Sequence, residues 1–244
     1  MTMTHIGIDG AIGVIRLDRP KVLNAMNESM VEEIERALDR FEADGAVRAV
    51  VITGTGRAFC VGSDLKEGGC DPDRRIARMH RLILRLDAYP KVSVAAFNGL
   101  ALGGGLEIGM ACTLRVAVPD ARLGLPEVTH ALMPAYGGTQ LLPRLIGVGR
   151  ALQMALTGEM IDAARAEQIG LVNMVAPDAQ EVAVALADHC TRSGGVAPRE
   201  IRRAILGGIG LPLPQGLALE AQGAARVAAS AEAKAAVVAF ASGH

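Results

Sequence analysis

Residues 92–110, VSVAAFNGLALGGGLEIGM, constrain the fold of this chain more than any other stretch. An uncharged, β-rich run over Val92–Phe97 leads through Gly103, Gly104 and Gly105 into an apolar helical segment over residues 106–112. Strand, glycine turn and helix in that order form the building unit of a layered α/β protein. The stretch is too short and too broken by glycine to cross a bilayer. The first N–H groups of a helix lack partners within it, and the helix dipole favours negative charge there. Such an end accommodates a phosphate or an oxyanion, and glycine lets the ligand approach the main chain closely. The spacing matches neither GxxxxGK[ST] nor GxGxxG, the two common phosphate loops. A glycine triplet alone fits a tight strand–helix packing corner equally well. Glu107 tips the balance. It lies about one turn beyond Gly104, so its side chain falls on the face of the Gly104 N–H. A carboxylate among Leu106, Ile108 and Met110 is costly to bury unless paired or neutral. The alternative is an exposed glutamate on that helix.

Strand and helix patterns alternate through the first two thirds of the chain. Residues 5–17 read as a hairpin around Asp9-Gly10. Val31, Ile34, Leu38 and Phe41 recur at helical spacing over residues 27–44. Residues 49–53 form a short strand, followed by a glycine-containing loop over 55–71. Ile76, Met79, Leu82, Ile83 and Leu86 mark a second helix before Pro90. Short strands are expected at 114–118 and 122–125, and a late one at 171–175. From Gly137 onward the pattern is mainly helical, and the last fifty residues are rich in alanine with several apolar faces. The expected fold is α/β, with a core over residues 1–190 and a helical C-terminal region over 191–244 that packs on another subunit.

Half of the 244 residues are apolar, and the net charge is −1. Neither a basic patch for nucleic acid nor a signal-peptide pattern is present, and no membrane span is expected. The cysteines Cys60, Cys70, Cys112 and Cys190 are scattered without a CxxC pair, which fits a reduced, cytoplasmic setting. His5, His80, His130, His189 and His244 have no metal-ligand spacing, so no metal site is expected.

A second acid stands in similar company. Glu127, in RLGLPEVTHALMP, follows a short strand and Pro126. Two carboxylates in apolar settings serve as acid and base when their surroundings separate their pKa values. A third piece, AFCVGSDLKEGG, is a turn after a strand that offers another free N–H.

At these stretches the chain resembles the enoyl-CoA hydratase/isomerase family, the crotonase superfamily. The matching segments are residues 58–67, 98–112 and 123–147, together with RPKVLNAMN at 19–27 and residues 155–175. The resemblance runs in order over residues 5–180. It implies a spiral of ββα units with a helical C-terminal trimerisation region, assembled as a homotrimer or homohexamer. It also implies an acyl-CoA thioester substrate with no metal or redox cofactor. Enolate charge at the thioester oxygen would be held by the backbone N–H groups of Ser63 and Gly104. Glu107 would activate water and Glu127 would exchange the proton at the α-carbon, hydrating a 2-enoyl-CoA to a 3-hydroxyacyl-CoA. Matching positions place the substrate along Ala58, Val61, Gly62, Asp64, Leu65, Gly103, Pro134, Ala135, Tyr136 and Lys21; Lys21 and Lys66 are either cations for the nucleotide or plain solvated lysines.

Two departures stand out. Relatives often carry Gly-Ala-Gly-Gly where this chain has Ala135-Tyr136-Gly137-Gly138, so Tyr136 either narrows the pocket, supplies a hydroxyl or simply packs. The usual C-terminal basic pair is missing, although Phe240 is present. A 3-enoyl-CoA isomerase relying on Glu127, or a non-catalytic acyl-CoA-binding scaffold, are the alternatives.

Overall fold

The computed structural model describes residues 2–64, 66–67 and 71–241. The chain opens with the expected hairpin, β1 (Thr4–Asp9) antiparallel to β2 (Ile12–Leu17), with Gly10 at φ 57° in its turn. Helix α1 (Glu28–Ala43) begins where the Asn27 side chain accepts from the Met30 N–H, an N-cap that satisfies one otherwise unpaired donor. A repeating order of strand, strand, helix follows: β3 (Ala49–Gly54), β4 (Ala58–Cys60) and α2 (Pro72–Asp87), then β5 (Val92–Phe97), β6 (Leu100–Leu102) and α3 (Gly104–Ala111). Strands β7 (Leu114–Ala117) and β8 (Arg122–Gly124) continue it. This is the expected spiral of ββα units.

Both strands of the opening hairpin and the first strands β3, β5 and β7 of the following units join a six-stranded sheet in the order β1-β2-β3-β5-β7-β10, where β10 is Met174–Val175. Every neighbouring pair in it except β1–β2 is parallel. The second strands β4, β6 and β8 join a smaller sheet, β4-β6-β8-β9, with β9 at Ile161–Asp162. Alternation along the strands separates two cores. Val50, Ile52, Ala95 and Phe97 face the larger core with α1, α2 and α3, whereas Val51, Val94 and Ala96 face Ala179, Ala183 and Ala187 of α7 (Ala179–Thr191).

Helices α4 (Gly138–Ile146), α5 (Val148–Thr157) and α6 (Ala163–Gln168) follow the second acid. Helices α8 (Val196–Gly208), α9 (Leu213–Ala229) and α10 (Ala231–Ala241) close the chain. Close approaches of Gly208 to Gly216 and of Glu200 to Gly223 make α8 and α9 an antiparallel pair. Buried Glu200 accepts from Arg226 and Arg199 in that pair. Arg202 of α8 donates to the carbonyls of Leu86, Asp87 and Tyr89, tying the pair to the end of α2.

The sequence pattern left residues 55–71 as a loop and passed over β6 and β9. Strand β4 lies inside that loop, and β6 lies between β5 and the glycines.

Candidate active site

The short strands gather the site. Strands β4, β6 and β8 run parallel, so their C-terminal ends share one edge, the usual place for ligands in such sheets. β4 runs into Val61–Ser63, β6 into Gly103–Gly104, and β8 into Leu125–Glu127, so segments distant in sequence meet at that edge.

Helix α3 is set there by two more glycines. A Cβ on Gly105 would stand 2.2 Å from the Cys60 carbonyl oxygen, and one on Gly109 would stand 2.4 Å from the Phe97 ring. One turn apart, they let the helix lie directly against β4 and β5. Gly103, at φ 50° and ψ −127°, precedes the helix in a conformation that a Cβ disfavours. Its N–H donates to the Gly124 carbonyl at 3.0 Å, which leaves the Gly104 N–H as the first free donor of α3.

The second donor comes from the turn after β4. The Gly62 carbonyl accepts from Met26 N–H, and Asp64 N–H donates to the Met26 carbonyl, both at 2.8 Å. Alternation in an extended segment turns the intervening Ser63 N–H away from Met26. Among the described residues, neither the Ser63 nor the Gly104 N–H has a hydrogen-bond acceptor. The turns adjoin: a Cβ on Gly62 would lie 3.2 Å from the Gly104 nitrogen. Asp64 is drawn off by Arg19 at 2.9 Å and by the Lys66 N–H, so it orders the turn.

Glu107 is not the exposed glutamate of the alternative reading. It is 1% exposed. Its Oε1 accepts from the N–H of Tyr136 at 2.9 Å and of Gly138 at 2.6 Å, at the N-terminus of α4. Burial pushes its pKa up from 4.5 to about 7; those two N–H groups pull against burial, and the charge of Glu127 adds to it. Glu127 sits in a 3-10 turn over Pro126–His130. Its Oε1 lies 2.8 Å from the point where a Cβ on Gly103 would stand. Its Oε2 is buried without a partner among the described residues. Burial also raises the Glu127 pKa. Burial thus raises both carboxyls, and the Glu127 charge adds to the rise at Glu107.

Ser63, Gly62, Gly103, Gly104, Glu107, Glu127 and Tyr136 therefore converge. Val61 precedes them in the donor turn, and buried Pro134 lies beside Gly138. Ala58 is buried in β4, where its carbonyl takes bonds from Asn24 at 2.7 Å and Asn98 at 3.1 Å. The Ala135 carbonyl accepts from the His80 Nε2 at 2.8 Å. Leu65 lies outside the described residues, as do Cys70 and His244. Lys21 is exposed in a 3-10 turn over Pro20–Val22, and Lys66 is exposed as well. His130 is exposed and bonded to the Thr129 hydroxyl.

Sequence reasoning gave no part in the site to Asn24, His80, Met26 or Met79. Asn24, at φ 55°, accepts from Arg19 N–H and donates to the Thr55 and Ala58 carbonyls, which fixes the chain beside the Ser63 turn. Its signal was the asparagine itself, a residue that tolerates the left-handed region. Met26 and Met79 line a narrow cleft with Ser63 and Tyr136.

The family model described as enoyl-CoA hydratase/isomerase matches residues 7–242. A Clostridium acetobutylicum protein named short-chain-enoyl-CoA hydratase is 35% identical over 239 residues, 95% of this chain and 92% of that one. The Bos taurus mitochondrial enoyl-CoA hydratase domain-containing protein 2 is 36% identical over 225 residues, 88% of this chain and 76% of that one. A crystal structure of an enoyl-CoA hydratase from Bacillus anthracis superposes with a TM-score of 0.93 at 35% identity, covering 99% of this chain and 97% of the other. The chain has the crotonase fold and belongs to the enoyl-CoA hydratase/isomerase family.

Proposed function

We propose that the protein is an enoyl-CoA hydratase, adding water across the double bond of a 2-enoyl-CoA thioester to give a 3-hydroxyacyl-CoA. The observation that carries this reading is the pair of buried carboxyls, Glu107 and Glu127, beside the two free N–H groups of Ser63 and Gly104. The thioester oxygen lies between those donors. Glu107 takes a proton from water as the hydroxyl bonds to C3. The double-bond electrons move onto the thioester oxygen as an enolate, and Glu127 delivers a proton to C2 as the carbonyl re-forms. Donors fixed in advance on developing charge contribute roughly 3 kcal/mol each, and each proton-transfer group about 10²–10⁴-fold. No metal or redox cofactor has a part in these steps. Lys21 and Lys66 are the cations assigned to the nucleotide end.

Residues 191–244 are assigned to assembly into a homotrimer or homohexamer. Ile201, Ile205, Leu213, Leu217 and Phe240 support this: all are exposed apolar side chains, Phe240 at 87%.

The test follows the loss of ultraviolet absorbance of the conjugated enoyl thioester in crotonyl-CoA. Wild type is expected to turn over, and Glu107→Gln and Glu127→Gln to lose about a hundredfold or more. A second reading, double-bond isomerisation by Glu127, is favoured by one detail: the Glu107 Oε1 is already occupied by two main-chain donors. In that case Glu107→Gln keeps full turnover of a 3-enoyl-CoA.

A further inference from the structure

Tyr136 reaches from one end of the site to the other. Its N–H donates to Glu107 Oε1 at 2.9 Å. Its ring lies over Gly104, with Cδ2 and Cε2 only 2.8 and 3.1 Å from the point where a Cβ there would stand. Its hydroxyl is 2.6 Å from Ser63 Oγ. The residue is 8% exposed, and the Met26 methyl closes the same face, 3.0 Å from the Gly104 Cβ position. Among the described residues, Tyr136 and Ser63 also line a narrow cleft with Met26, Val31 and Met79.

Granting the hydratase reading, the acyl group has little choice of path. Its oxygen lies at the Ser63 and Gly104 donors, and its C3 lies at Glu107. The carbons beyond C3 then run against Tyr136, whose main chain is on Glu107 and whose ring borders both donors. A long chain must push the phenol aside and break its bond to Ser63. A methyl beyond C3 need not.

We propose that Tyr136 is a specificity-determining residue that closes the acyl site just beyond C3, so that the protein acts on short, crotonyl-sized thioesters and discriminates against long ones. This rests on the hydratase reading for the direction of the chain.

The test compares kcat/KM for crotonyl-, 2-hexenoyl- and 2-decenoyl-CoA in wild type, Tyr136→Ala and Tyr136→Phe. Wild type is expected to favour crotonyl- over decenoyl-CoA by about a hundredfold or more. Tyr136→Ala is expected to narrow that ratio at least about tenfold, because each methylene newly admitted to apolar space adds up to about fourfold in affinity. Tyr136→Phe keeps the ring and is expected to hold the ratio within about threefold of wild type. General damage to the site lowers all esters alike and leaves the ratio unchanged. An unchanged ratio in Tyr136→Ala, or equal use of both esters by wild type, overturns the proposal. Calorimetric binding of butyryl- and decanoyl-CoA keeps this question apart from the chemistry. If no enoyl ester turns over, the hydratase reading fails, yet a butyryl preference relaxed by Tyr136→Ala still supports the closed pocket, and the lack of one overturns it.

Discussion

Replacing Glu107 by glutamine separates what this side chain does for folding from what it does for chemistry. In the folded protein its carboxyl has a pKa of about 7, against an ordinary value of 4.5, with burial the main cause. Between those values the native state holds a proton that the unfolded chain has released, so native stability falls as pH rises. At about 1.4 kcal/mol per pH unit, the loss accumulates to about 3 kcal/mol. It is absent below the unfolded pKa and complete above the folded one. Glutamine is isosteric and its amide oxygen still accepts from the Tyr136 and Gly138 N–H groups, but it has nothing to ionise. The stability of Glu107→Gln relative to wild type is therefore expected to rise by about 3 kcal/mol between pH 4.5 and pH 8. For a chain of this length that corresponds to roughly 6–12 °C in melting temperature. Far-UV circular dichroism melts at both pH values, at one protein concentration, measure it, and crotonyl-CoA hydration is expected to fall about a hundredfold in the same variant. A stability difference that is the same at both pH values refutes the reasoning, because Glu107 would then not change charge in this window.

The same titration acts on rate. On the proposed mechanism the base form of Glu107 acts, so kcat/KM is expected to fall on acidification below about pH 7, and a flat profile from about pH 5 to 8 would remove Glu107 as the base. Gly105→Ala brings a methyl to 2.2 Å from the Cys60 carbonyl oxygen; overpacking of this kind costs about 1–3 kcal/mol or more, visible as a lower melting temperature. Asn24→Ala removes three side-chain hydrogen bonds, about 3 kcal/mol at roughly 1 kcal/mol each. It is expected to lower the denaturant midpoint and, by loosening the Ser63 turn, the turnover of crotonyl-CoA.

What the sequence made legible follows element length and locality. β3 and β5 are six-residue apolar runs buried throughout, and α1 and α2 carry long apolar stripes. Periodicity finds such elements. β4 and β6 have three residues each, too few for any period, yet they bring the Ser63 turn and Gly104 to one edge. Glu107 was legible as a candidate buried acid from its apolar helix neighbours, but its partners, the Tyr136 and Gly138 N–H groups, lie about thirty residues on. The placement of Tyr136 was not, since it depends on Ser63, 73 residues away. Nor was the empty Glu127 Oε2, because nothing near Glu127 in the chain records the absence of a partner across the fold.

The approach of α3 to the strands has one more consequence. At Gly105 the helix main chain meets the Cys60 carbonyl directly, so the neighbouring Gly104 N–H is located largely by main-chain contact, whereas at Gly109 the Phe97 ring takes up the space a side chain would fill. The opposite wall, built from Met26, Met79 and Tyr136, consists of side chains alone. On the proposed reading, the donor half of the site is thus set mainly by main chain and the acyl-facing half is a replaceable side-chain lining. Substrate range is open to change by single substitutions in that lining, with the electrophilic end left where it is.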